Sequence, residues 1–156
     1  MSNPSLFTRA FVLAALATLM LNLSNFLFLH FPGFLQQLGA EESEIGLIMG
    51  AQPLGAILAW PFVGRAMDLH GRRIVILAGC ALFNVVIVLY LCISSLGPFV
   101  YFVRLLDGVA ATMWYAALFT HGADLVPAQR RTEGLAIFGA SGLVTIGLGA
   151  QFGSVI

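Results

Sequence analysis

Between residues 10 and 40 not one residue carries a formal charge. No other feature limits the possible folds so strongly. A helix that crosses a bilayer needs about 20 mostly apolar residues, and few soluble domains can hide a longer run. Further apolar runs follow along the chain. The spans read as residues 10–34, 45–64, 74–93, 99–120 and 135–156. Runs of this length mean helices. Barrel strands would be about 10 residues long with alternating polarity, and nothing alternates that way. Pro53 and Pro61 fall inside the second span, where a membrane helix tolerates them. "SSLGP", residues 94–98, reads as a tight turn.

Composition supports lipid as the solvent. The 156 residues are 60% hydrophobic and 9% charged, whereas soluble domains hold about 25% charged residues. Formal net charge is zero and every basic residue is Arg. A nucleic-acid partner would call for a basic excess or stripe, and neither is present. Cys80 and Cys92 share one apolar run. On a helix they lie about 18 Å apart, too far for a disulfide, and they lack metal-ligand spacing. They are expected to be buried packing residues, with no metal site. The N-terminus does not read as a secretory signal, because the run after Arg9 is too long.

Arginine placement sets orientation. Arg9 precedes the first span, Arg65, Arg72 and Arg73 lie between the second and third, and Arg130 and Arg131 lie between the fourth and fifth. All fall on one side, which places that side and the N-terminus in the cytoplasm. The opposite loops carry Glu41, Glu42 and Glu44 or no charge.

The loop after the second span reads "GRAMDLHGRR". Topology explains its arginines only in part. Arg72 and Arg73 open a helix, where the dipole disfavours cations, and a carboxylate partner would relieve this. Gly71 is expected to serve a positive φ or a close turn. Gly64, Asp68, Gly71, Arg72 and Arg73 at this spacing resemble the signature turn between helices two and three of the major facilitator superfamily. Leu69 stands where that family usually has a basic residue. "RLLDG" is similar to the family's Arg-x-x-x-Gly arrangement in helix four, with Arg104 and Gly108 matching. "ADLVPAQRRTEG" resembles the following loop, with Asp124 at its acidic position. "GLGAQFG" resembles the glycine-rich helix-five motif of proton-driven exporters: Gly149 and Gly153 match, and Ala150 replaces a frequent Pro.

The resemblance implies an all-α membrane protein: five helices of a truncated N-terminal six-helix half. It covers the whole chain but the first five of the family's usual twelve helices, so residues 1–156 are expected to be the front of a longer transporter. It further implies a secondary active transporter, not an enzyme. Such a protein moves a small molecule by alternating access, with two halves rocking about a central site. Proton-coupled efflux is the favoured mode, the proton gradient supplying energy with no bound cofactor. The implied setting is the bacterial inner membrane, and the partners are the bilayer, a small-molecule substrate and the C-terminal half. The signature residues would form a cytoplasmic latch. Asp68 would face a helix N-terminus of the other half, and Arg72 or Arg73 would bridge to Asp124. The alternative is that these residues set only topology and turn shape.

Arg104 and Asp107 lie inside the fourth span. A charge at mid-bilayer costs about 2.5–3.5 kcal/mol on insertion scales, so such residues face a cavity or a partner. Three residues apart, they share a helix face and can pair. Thr18, Asn22 and Asn25 make a polar stripe at helical spacing in the first span. Helices one and four line the cavity in the family, so Asn22, Asn25, Arg104 and Asp107 are expected to face the transport path, with Asp107 as proton carrier. The competing reading is a static ion pair, with the asparagines as interhelical hydrogen-bonders. His30 is read as an interfacial or packed residue, and Trp114 and Tyr115 as packing residues rather than a substrate wall.

In the fifth span Ser141, Thr145, Gly149 and Gly153 recur every four residues. This small-residue ridge lets another helix approach closely. "GASG", residues 139–142, also resembles the Gly-x-Ser-Gly of rhomboid intramembrane proteases, with Ser141 as nucleophile. A serine nucleophile needs a positioned base, and His30 and His121 are poorly placed for one. A dinucleotide reading of "GLGAQFG" fails for want of a preceding strand. A membrane scaffold or partner subunit without transport activity is the remaining alternative.

Overall fold

The computed structural model describes residues 7–26, 30–137 and 139–140, apart from the side chains of Asn25 and Phe26. No strand occurs among the described residues. The helices are α1 (Arg9–Phe26), α2 (Phe31–Gln37), α3 (Glu42–His70), α4 (Arg72–Leu91) and α5 (Pro98–Leu125). A 3-10 turn, Ala128–Arg130, leads into helical residues 131–137. Helices α3, α4 and α5 are each long and apolar enough to cross a bilayer. Leu47, Leu54, Ile57 and Phe62 on α3 and Leu77, Val85 and Val88 on α4 are exposed. Helices that are apolar on their outer faces as well as inside are stable in lipid, not in water.

Helix limits differ from the apolar runs in an instructive way. The first run is described as two helices, and α2 continues past residue 34 to Gln37. Pro32 sits in the first turn of α2, the part of a helix that loses least without an N–H. Residues 64–70, expected to be a turn, are instead the last turns of α3. Arg65, Ala66, Met67 and Leu69 are good or adequate helix formers, so charge ends the apolar run without ending the helix. The turn itself is Gly71, at φ 80° and ψ 157°, a region open essentially to glycine alone. Its N–H donates to the Met67 carbonyl at 3.0 Å, closing α3. Arg72 then opens α4 with no acidic residue in its first turn. Beyond residue 140 the fifth span, with Ser141, Thr145, Gly149 and Gly153, lies outside the described residues.

The chain forms two compact units. One comprises residues 1–30 and 118–156, the other residues 31–117. In the first, Phe11, Ala14 and Val126 form a small core, flanked by Phe119, Leu125 and Ile137. Arg130 donates to Glu133 at 2.7 and 2.8 Å in an exposed pair, which holds the Glu133 carboxyl below its usual range through that hydrogen bond.

In the second unit α5 is the central helix. Its apolar stretch is 56% buried, against 22% for that of α3 and 28% for that of α4. Ala59 and Val63 of α3, Val75 of α4 and Ala116 and Ala117 of α5 make one core. Glycines set how closely the helices meet. A Cβ on Gly55 would overlap the Leu105 carbonyl, and one on Gly108 would overlap the Gln52 carbonyl. Thus α3 and α5 cross backbone to backbone. Gly79 does the same for α4, since a Cβ there would sit 2.7 Å from the Trp114 nitrogen.

Candidate functional site

The crossing of α3 and α5 delivers polar side chains to a buried interior. Arg104 and Asp107 stand one turn apart on α5, at 2% and 1% exposure. The Arg104 Nη1 donates to Asp107 Oδ2 at 3.3 Å and to the Tyr90 hydroxyl of α4 at 3.1 Å. That hydroxyl in turn donates to the same Asp107 Oδ2 at 3.0 Å. From α3, Gln52 Oε1 and Met49 Sδ accept from Arg104 Nη2 at 3.3 and 3.4 Å. Phe31 of α2 places its ring 5.5 Å from the guanidinium and meets Tyr90 edge-on at 5.1 Å. One guanidinium therefore gathers side chains from four helices.

The physical logic is charge compensation. A buried ion is tolerated only when paired and hydrogen-bonded. Both terminal nitrogens of Arg104 are engaged, and the aromatic face of Phe31 adds a cation–π contact. Compensation is incomplete at two atoms. Arg104 Nε and Asp107 Oδ1 have no hydrogen-bond partner among the described residues.

Arg104 and Asp107 lie about 9 and 14 Å along α5 from Pro98, in a helix about 42 Å long. The cluster therefore lies in the first half of α5, on the side of Pro98. Sequence reasoning paired Arg104 with Asp107 and missed Tyr90, Gln52, Met49 and Phe31.

The remaining site residues are placed as follows. Thr18 donates to the Ala14 carbonyl at 2.9 Å, and Asn22 to the Thr18 carbonyl at 3.0 Å, so both bond within α1. The Asn25 side chain lies outside the described residues. Gly64, Asp68 and Gly71 close α3, with Asp68 exposed. Arg72 and Arg73 open α4, and Asp124 lies in the last turn of α5. Trp114 packs against Phe83 in the core, whereas Tyr115 is half-exposed. His30 is exposed. Cys92, expected to be buried, is exposed, and Cys80 is half-buried. Cys92 is the residue that caps α4, just beyond its last turn. Among the described residues no group of three or more His, Cys, Asp or Glu could hold a metal ion.

Comparison with known proteins places this bundle. The family model described as Major Facilitator Superfamily matches residues 10–156. An uncharacterised MFS-type transporter of Methanocaldococcus jannaschii is 28% identical over 79% of this chain and 32% of its own length. Multidrug resistance protein 2 of Bacillus subtilis is 28% identical over 70% of this chain and 27% of its own. Multidrug resistance protein MdtL of Klebsiella pneumoniae is 27% identical over 68% and 27%. The chain thus spans about a third or less of the relatives it matches. No solved structure matches it significantly. With apolar spanning helices, a glycine-tight helix crossing and a family match over nearly its full length, this multi-pass membrane chain belongs to the major facilitator superfamily.

Proposed function

We propose that the chain is the N-terminal part of a secondary active transporter that exports a small molecule in exchange for protons by alternating access. The observation that carries this reading is the buried Arg104–Asp107 pair. Ionisable residues inside a membrane bundle are costly, and where they persist they mark ion or substrate pathways. Two relatives bear the name multidrug resistance protein, which supports efflux of a drug-like molecule over import. In this reading Asp107 exchanges the proton and Arg104 balances its charge. Asn22, Asn25 and Gly108 belong to the same path, Gly108 by letting α3 approach.

Gly64, Asp68, Gly71, Arg72, Arg73 and Asp124 form the cytoplasmic latch. Asp68 docks on a helix N-terminus of the C-terminal half, where the dipole favours an anion. Gly71 turns the chain so that Arg72 and Arg73 begin α4 beside it. The latch favours the outward-open state and breaks when the site opens inward. The protein sits in a bacterial inner membrane with its N-terminus in the cytoplasm, performs no covalent chemistry and uses no cofactor.

The test is drug accumulation in a hypersusceptible bacterial host that expresses the full-length protein. Arg104→Ala is expected to abolish efflux in protein that still inserts in the membrane, with efflux scored per inserted molecule. Wild-type efflux by this variant would overturn the assignment.

A further inference from the structure

Asp107 differs at its two oxygens. Oδ2 accepts from Arg104 at 3.3 Å and from Tyr90 at 3.0 Å. Oδ1 has no partner among the described residues although it is fully buried. A proton that reaches this carboxylate therefore binds most readily at Oδ1, the oxygen whose lone pairs are unengaged. Whether it stays there depends on the donors at Oδ2, because hydrogen bonds to the ionised form favour that form.

Two donors serve Oδ2, and they differ in what they report. Arg104 belongs to α5, the same helix as Asp107, so its position relative to the carboxylate is nearly fixed. Tyr90 reaches across from α4, on the last full turn before Cys92. Its ring is held edge-on by Phe31 at 5.1 Å, which aims the hydroxyl at the ion pair. Among the described residues, α3 brings Gln52 and Met49 to the cluster and α2 brings Phe31, none of them titratable.

We propose that Tyr90 is a positioning residue that ties proton binding at Asp107 Oδ1 to the packing of α4 against α5. With Tyr90 seated, Asp107 stays ionised and paired with Arg104. When α4 moves and the hydroxyl withdraws, the carboxylate loses one of its two donors and takes up a proton. The reverse movement expels it. Protonation and helix packing thus drive each other in both directions, as linkage requires. The inference rests on Asp107 as the proton-exchanging group, and it is tested by a measurement that needs no transport.

The probe is dicyclohexylcarbodiimide, an apolar reagent that modifies protonated carboxyl groups in membrane interiors. Full-length protein in proteoliposomes is treated across a pH series, and peptide mass spectrometry reads the modified fraction at Asp107. Tyr90→Phe removes only the hydroxyl and keeps the ring contact with Phe31. Its Asp107 labelling curve is expected to move to higher pH by about one to two units, the size of one lost hydrogen bond to a charged group. A curve that coincides with the wild type overturns the proposal. Should Tyr90→Phe not accumulate, Tyr90→Gln, which keeps a donor, is compared with Tyr90→Leu, which does not. The Leu curve is expected at higher pH than the Gln curve, and equal curves refute the assignment. A displaced curve in a protein that transports nothing leaves the Tyr90 assignment standing and removes only the export reading.

Discussion

Alanine at Gly108 would put a methyl group where the structure has the backbone of another helix. The added Cβ meets the Gln52 carbonyl and approaches the Ala56 nitrogen at 2.8 Å. Neither neighbour is a side-chain tip that can rotate away, so α3 must retreat by roughly an ångström. Overpacking of this kind costs about 1–3 kcal/mol. The retreat also carries Gln52 off Arg104, where the present distance is 3.3 Å. A buried guanidinium that loses an acceptor adds about 1–3 kcal/mol. Together Gly108→Ala is expected to cost about 2–5 kcal/mol. Gly55→Ala strikes the Leu105 carbonyl from the other side of the same crossing and is expected to cost a similar amount. The double variant is expected to cost less than the sum, because the second methyl enters a gap the first has opened. Gly46 and Gly50 lie on the same helix with no atom within 4 Å of an added Cβ. Alanine at either is expected to be neutral or to stabilise by about 0.5–1 kcal/mol through helix propensity. Unfolding of the purified full-length protein in mixed micelles of rising sodium dodecyl sulfate, followed by tryptophan fluorescence, ranks the variants. Equal effects at all these glycines, or a Gly108→Ala protein as stable as the wild type, would refute the close crossing.

Other variants separate structural from transport roles. Gly71→Ala forces a side chain into a glycine-only conformation and is expected to cost about 1–3 kcal/mol, read in the same unfolding assay. Asp68→Asn is expected to abolish transport while insertion, checked by membrane fractionation, stays normal; unimpaired transport would remove the latch. Arg104→Leu leaves Asp107 buried without its ion partner and is expected to destabilise by about 3–5 kcal/mol, whereas Arg104→Leu combined with Asp107→Asn is expected to recover much of that loss.

Local features were legible in the sequence, and long-range ones were not. The apolar runs located α3, α4 and α5 because their periods need no partner to be read. The spacing of Arg104 and Asp107 sufficed to pair them, since a helix fixes its own surface. Gly71 announced its positive φ because only glycine is free to adopt it. Tyr90, by contrast, looks like any aromatic residue near the end of a spanning helix. Nothing in its neighbourhood signals a carboxylate 17 positions away, or that Gln52 would reach Arg104 across 52. The Gln52 contact follows from the Gly55–Gly108 crossing of α3 and α5, and the Tyr90 contact from the packing of α4 on α5 at Gly79, each a property of two helices together. The end of α3 was misjudged for a different reason. Polarity marks where a helix leaves the bilayer, whereas hydrogen bonding decides where it stops, and here the helix continues to His70.

The most direct test uses the full-length protein in proteoliposomes with an imposed proton gradient and a fluorescent drug as cargo. Gradient-driven drug movement in the wild type, lost in Asp107→Asn while the protein remains folded and inserted, is the predicted result. Drug movement in Asp107→Asn at the wild-type rate and with the same dependence on the gradient would contradict the assignment of proton exchange to this buried cluster.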